Sequence, residues 1–117
     1  SLNLTVAIPE RCRAYGPGLE RAETHIPTEF TIEAINQFQK RVPQGGDPFK
    51  VVITGPSTNI EPKMTDNNDG TYRVDYTPTE PGLHQIRITL NDKNISNSPF
   101  KVPVVRSGIF LLYPSHF

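Results

Sequence analysis

One cysteine, Cys12, serves the whole chain of 117 residues. A single thiol excludes an intrachain disulfide and any zinc site built on four cysteines. A reducing compartment, hence the cytoplasm, is the simpler expectation. Net charge is missing too, since twelve basic residues face twelve acidic ones. Affinity for a phosphate backbone grows from clustered Lys and Arg, so no nucleic-acid partner is expected. No apolar run approaches the roughly 18 residues of a membrane-spanning helix. No Lys/Arg-led leader opens the chain either, and no membrane partner is expected. No window carries a 3.6-residue apolar stripe between caps, which disfavours a helical bundle. Two Asn-x-Ser/Thr triplets, Asn3-Leu4-Thr5 and Asn94-Ile95-Ser96, are all that points outside the cell.

What the chain has is turn formers and alternation. Twelve Pro and eight Gly make up about 17% of it, against roughly 12% in an average protein. Between these punctuation marks apolar residues recur with period two, which places them on one face of a strand. Phe30, Ile32 and Ala34 alternate with Glu29, Thr31 and Glu33; Phe49, Val51 and Ile53 follow. Tyr72, Val74 and Tyr76 alternate with Arg73 and Asp75, then come Ile86, Ile88 and Leu90, and last Phe100, Val102 and Val104. Asn68-Asp69-Gly70 has the composition of a hairpin turn that needs positive φ. Gly55-Pro56-Ser57 and Pro81-Gly82 mark further turns, and Gly45-Gly46-Asp47-Pro48 ends a long connection from Asn36. Short strands at such spacing predict an all-β sandwich or small barrel.

Both ends extend past this set. Leu2, Leu4, Val6 and Ile8 alternate until Pro9, which predicts one more strand and a linker over residues 1–11. The domain proper is placed at residues 12–105. Residues 106–117 form an apolar C-terminal extension containing Ile109, Phe110, Leu111, Leu112 and Tyr113. Each end needs another surface to cover it, in the same chain or in a second copy that would make a homodimer.

Several residue strings coincide with one family. Ala14-Tyr15-Gly16-Pro17-Gly18-Leu19, Gly45-Gly46-Asp47-Pro48-Phe49-Lys50-Val51 and Ile53-Thr54-Gly55-Pro56 resemble, in order, the opening, third strand and following turn of filamin-type immunoglobulin repeats. Asp66-Asn67-Asn68-Asp69-Gly70-Thr71-Tyr72, with Val74 and Tyr76, is similar to that family's hairpin; Pro78, Pro81-Gly82 and Ser98-Pro99-Phe100 complete the pattern. The register of Pro9 through Leu19 looks like the rods of amoeboid gelation factors. The resemblance implies a seven-stranded immunoglobulin-like β-sandwich, one link in a tandem rod of an actin-crosslinking protein of the cytoskeleton. Spacing, partner docking and dimerisation are the roles it implies, with neighbouring repeats in the same chain as partners. The alternative is a partner- or substrate-recruiting domain of a multidomain regulator such as a tripartite-motif ubiquitin ligase.

Little in the sequence suggests catalysis. Asp66-Asn67-Asn68-Asp69-Gly70 superficially resembles a calcium loop, but an EF-hand needs Gly at position six and Glu at twelve. Here Gly70 is fifth from Asp66 and position twelve is Thr77, which leaves a hairpin turn. His25, His84 and His116 lack the spacing of a zinc helix and read as surface or strand-edge residues. Cys12 has no histidine beside it and reads as a partly buried strand residue. Glu29 and Glu33 read as a charged exterior, and Lys40 and Arg41 with Lys50 as a solvated loop. No enzyme activity and no cofactor or metal are expected.

A sandwich leaves edges whose unpaired N–H and C=O groups can accept another strand. In the family, ligands add beside strand C and pack across strand D. The matching positions are Phe49–Thr54 and Asn59–Thr65, and the resemblance implies a partner-binding groove at Lys50, Val52, Pro62 and Met64. Pro62 cannot donate a backbone hydrogen bond, a device that edges use to discourage pairing. Met64 is an adaptable contact residue.

Overall fold

In the computed structural model, which describes residues 3–108, the alternating segments of the sequence become extended strands. These are β1 (Arg13–Tyr15), β2 (Ala22–Glu23), β3 (Thr28–Glu33), β4 (Phe49–Thr54), β5 (Asn59–Ile60), β6 (Lys63–Asp66), β7 (Thr71–Tyr76), β8 (Gly82–Leu90), β9 (Lys93–Asn94) and β10 (Phe100–Val105). Three of them, β2, β5 and β9, are two-residue splinters. The other seven build the expected sandwich. One sheet runs β1-β3-β7-β6; the other runs β2-β10-β8-β4-β5, with β9 paired to β8. All pairs are antiparallel except β2 with β10.

The inward faces are the alternating residues. Phe30, Ile32, Val74, Ile86, Ile88 and Val102 are all fully buried, and each such side chain contributes about 1.5–3 kcal/mol relative to exposure. Tyr76 crosses the core edge-on to Phe30 at 6.4 Å and donates its hydroxyl proton to the Gly18 carbonyl at 2.6 Å. Burial pushes the Tyr76 hydroxyl up to about 12. Gly18 is required there, because a Cβ would come within 2.9 Å of the Glu29 carbonyl oxygen. Gly70 sits at φ +90°, and a side chain would collide with the Val42 carbonyl. The β6–β7 turn bends at positive φ on Asn68 and Gly70, and Asp66 and Asp69 accept the amide protons of Asn68 and Thr71. Those carboxylates are occupied by backbone amides, with Asp66 Oδ2 also accepting the Gly46 amide proton at 2.8 Å.

Six expectations need correction. No strand forms over the described part of Leu2–Ile8: the chain turns at Leu4–Thr5, and a single 3-10 turn occupies Pro9–Arg11. The parity is also reversed, since Ala7 is buried while Leu4 and Val6 are about half exposed. The Ile8 amide donates to the Ile35 carbonyl at 2.8 Å, but Pro9 has no N–H with which to extend a ladder. Strand D is not continuous over Asn59–Thr65. It splits into β5 and β6, which belong to different sheets, and the crossing falls at Glu61–Pro62.

Glu33 is not a solvated exterior charge; it is 6% exposed. Arg13 donates to its Oε1 at 2.6 Å and Arg41 to its Oε2 at 2.9 Å. Burial raises the Glu33 pKa, but the two guanidinium groups outweigh it and hold the carboxyl below its ordinary value. Arg41 is accordingly an ion-pair partner and not merely part of a solvated loop. His84 is 1% exposed, because its place on β8 falls on the same face as Ile86 and Ile88. Cys12 is fully buried just before β1, where its sulfur accepts the Ile35 amide proton at 3.4 Å and burial raises its pKa. The Ile109–Tyr113 run, Leu2 and His116 lie outside the described residues.

Candidate functional site

Strand β4 begins where Asp47-Pro48 and Tyr72 fix it. The Asp47 amide donates to the Tyr72 hydroxyl oxygen at 2.8 Å, and the Phe49 ring meets the Tyr72 ring edge-on at 5.0 Å. Burial pushes the Tyr72 hydroxyl up to about 12. Burial likewise raises the Asp47 carboxyl, with the Asp66 carboxylate adding to the rise and the Tyr72 bond opposing it. From this anchor β4 runs with all six residues paired to β8 on one side, Phe49↔Leu90 through Thr54↔Gln85. Its other side meets only β5, at Ile53↔Ile60 and Thr54↔Asn59. Among the described residues, Phe49 to Val52 have no strand beside them on that flank.

The direction of the backbone groups follows from the partner strand. Ile88, opposite Val51, donates its N–H to Ser98 Oγ at 2.8 Å and accepts the Ile95 amide proton at 3.1 Å. Both groups therefore point away from β4, which makes Val51↔Ile88 a pair without mutual hydrogen bonds. The N–H and C=O of Val51 face the open flank. The Phe49 carbonyl shares that direction, while the Phe49 amide is turned onto the Asp47 carbonyl at 2.9 Å. The free edge thus offers one donor and two acceptors, enough to hold a short added strand.

The side chains divide between two faces. Lys50 and Val52 lie opposite Thr89 and Arg87 on the outer face of the sheet, and Val52 is 37% exposed. Val51 lies on the inner face, half-buried and packed against the core. Met64 pairs with the fully buried Val74 and so faces inward, yet it remains 40% exposed. It overhangs because β6 is the terminal strand of its own sheet. The chain crosses from β5 to β6 through only Glu61 and Pro62, so the β4 flank and the β6 flank stand side by side at one mouth of the sandwich. Ile60, at the end of β5, and Pro62, just before β6, are both half-buried at this crossing.

Of the four groove residues expected from sequence, Pro62 and Met64 belong to this mouth, and Lys50 and Val52 to the outer face. An added strand presents its side chains alternately to both faces, so it would meet the two pairs on opposite sides. Val51 and Ile60 went unnoticed in the sequence because their alternation and apolarity look like ordinary core. Among the described residues no three His, Cys, Asp or Glu side chains gather where they could hold a metal ion. No helix among them is long and apolar enough to cross a membrane.

Comparison with known proteins agrees with the geometry. The sequence profile described as Filamin/ABP280 repeat matches residues 6–101. The chain is 46% identical over 98 residues to Filamin-A of Drosophila melanogaster, an alignment covering 82% of this chain and 4% of that protein. It is 38% identical over 97 residues to the E3 ubiquitin-protein ligase TRIM71 of Mus musculus, covering 82% of this chain and 11% of that protein. With the E3 ubiquitin-protein ligase TRIM45 of Homo sapiens it shares 30% identity over 94% of this chain and 20% of that protein. The chain therefore spans a small part of each curated relative. Among solved structures, the crystal structure of the Lin-41 filamin domain superposes with a TM-score of 0.75 at 16% identity, covering 84% of this chain and 95% of that one. That likeness speaks for the fold alone.

Proposed function

Because the chain belongs to the filamin-repeat family, a class of structural and interaction domains, we propose that it acts as a non-catalytic repeat of an actin-crosslinking, filamin-like protein of the cytoskeleton. It spaces neighbouring repeats and docks protein partners by strand addition at β4, with packing on Val51, Val52, Pro62 and Met64. The observation that carries this reading is the N–H and C=O of Val51 facing the open flank of β4, with an exposed Met64 on the terminal strand β6 of the other sheet. Lys50 limits which strand fits, since its ammonium favours an acidic or polar residue on the outer face. A second copy of the chain is one such partner.

Light scattering coupled to size exclusion, run across a wide range of concentrations, tests the self-pairing arm. A mass of twice 13.1 kDa, with hydrogen exchange slowed at Val51, is the result expected of a strand-paired dimer. A mass that stays at 13.1 kDa removes the dimer and leaves a spacer or a dock for another chain. Strand addition as a whole fails if a bound partner leaves exchange at Val51 unchanged.

The TRIM alignments favour a second reading, a partner- or substrate-recruiting repeat of a tripartite-motif ubiquitin ligase. The TRIM45 match extends over 94% of the chain, more than the 82% matched by Filamin-A. The full-length transcript separates the two: tandem repeats beside this segment support the crosslinker, and a RING-type neighbour supports the ligase.

A further inference from the structure

On the opposite flank from β4, a concavity of about 330 Å³ opens where β2 and β10 end. Thr24, His25, Thr79, Pro81, Arg106 and Ser107 line it. Three separate segments thus bring one guanidinium, one imidazole and the hydroxyls of Thr79 and Ser107 to a single bowl, while the Thr24 hydroxyl donates to Ser107 Oγ at 3.5 Å. The bowl is braced from within. The Ser107 amide donates to Thr24 Oγ1 at 3.1 Å, and Thr24, 4% exposed, also bonds the Val105 carbonyl through its amide at 2.9 Å. His25 is held at φ +65° by its amide bond to the Pro78 carbonyl at 2.7 Å.

No carboxylate belongs to the lining, although two stand next to it in sequence. Glu80 lies between Thr79 and Pro81, but its carboxylate is turned away to accept the amide and hydroxyl protons of Ser57 at 2.7 and 2.5 Å. Glu23 precedes Thr24 and lines the adjoining concavity with Arg21 and Ile26 instead. Among the described residues Arg106 forms no ion pair with an acidic side chain. Among the described residues, a protein of zero formal net charge therefore carries a local site whose guanidinium has no carboxylate paired with it.

We propose that this bowl is a binding site for a phosphate group. A guanidinium fork matches phosphate oxygens with two parallel N–H donors. Hydroxyl and imidazole donors arriving from other directions suit a tetrahedral oxyanion better than a planar carboxylate. The site is independent of the β4 edge, because β10 and β8 separate the two.

Amide nitrogen–proton correlation spectra of the 117-residue chain, titrated with sodium phosphate against sodium chloride at matched ionic strength, test it. The expected result is a saturable set of shifts confined to the neighbourhood of Thr24, His25, Thr79, Arg106 and Ser107. Arg106→Ala should weaken the apparent affinity about tenfold, the loss of one charge-assisted hydrogen bond. Arg106→Lys should recover part of that affinity, and the exposed position should leave the thermal midpoint unmoved. A blocked phosphoserine peptide forms the second arm. Tighter binding of the peptide than of inorganic phosphate assigns the site to a phosphorylated partner side chain; the reverse order assigns it to the free ion. Shifts that rise linearly with phosphate, or that survive Arg106→Ala unchanged, overturn the proposal.

Discussion

Strands β3 and β4 are each six residues long, and each bury an aromatic residue facing the opposite sheet. Their surroundings differ. Strand β3 lies between β1 and β7, so Thr31 has a neighbour on both sides, Tyr15 and Arg73. Strand β4 has β8 on one side and a splinter on the other, so among the described residues Val51 has one strand neighbour, Ile88. The first strand is paired along both flanks; the second keeps an unpaired flank over Phe49 to Val52 among the described residues. The pair teaches that an open edge here comes from an omitted neighbour rather than from a distinctive residue type.

Proline substitution should break this comparison most visibly. Thr31→Pro removes a donor from a strand hydrogen-bonded on both flanks, and no cooperative unfolding transition is expected in urea. Val51→Pro removes a donor that faces the open flank, so the protein should fold with a loss of about 1 kcal/mol. It should nevertheless lose strand-type partners in a binding assay. Equal damage from both substitutions, or undiminished binding by the Val51→Pro protein, would remove the distinction between the strands.

The outer face of β3 sharpens it next. Glu33→Gln deletes the charge that Arg13 and Arg41 share. Because the side chains of Arg13 and Arg41 are 61% and 46% exposed, the expected cost is modest, about 1–2 kcal/mol near neutral pH. The folded carboxyl sits below the ordinary glutamate value of 4.5, so its contribution is present above that pH. It is lost as pH falls through the depressed folded value. Urea midpoints measured down the acid limb should therefore converge for the wild type and Glu33→Gln; a constant gap at all pH values would contradict the linkage.

The smallest effect on stability belongs to the β6 side of the mouth. Met64→Ala trims a side chain already 40% exposed, at a cost of about 1 kcal/mol or less. Its effect on partner affinity should exceed its effect on the unfolding midpoint, and comparing calorimetric titration with denaturant unfolding shows which is larger. Affinity that holds while stability falls would make Met64 a packing residue and move the docking surface elsewhere.

Much of this was legible before any coordinates. The strand limits Phe49–Thr54, the inward set from Phe30 to Val104 and the turns at Gly70 and Gly82 all follow from period-two alternation and from residues that tolerate positive φ. The candidate site was legible only in part. Alternation puts Val51 on the inward face and marks Ile60 in no way, because a half-buried apolar residue at an edge has the same sequence signature as one inside. The same limit explains Glu33 and His84, whose burial depends on what other strands place around them.

The sequence by itself determined the strands that carry the inward set from Phe30 to Val104, the turns between them and the family, since alternation and turn chemistry rest on neighbours one to four positions away. Only the tertiary structure decided which strand was left without a partner, that strand D breaks at Pro62 to change sheets, and that Arg13 and Arg41 close over Glu33. Those outcomes depend on segments distant in sequence being brought together, and alternation along one strand carries no record of what lies beside it.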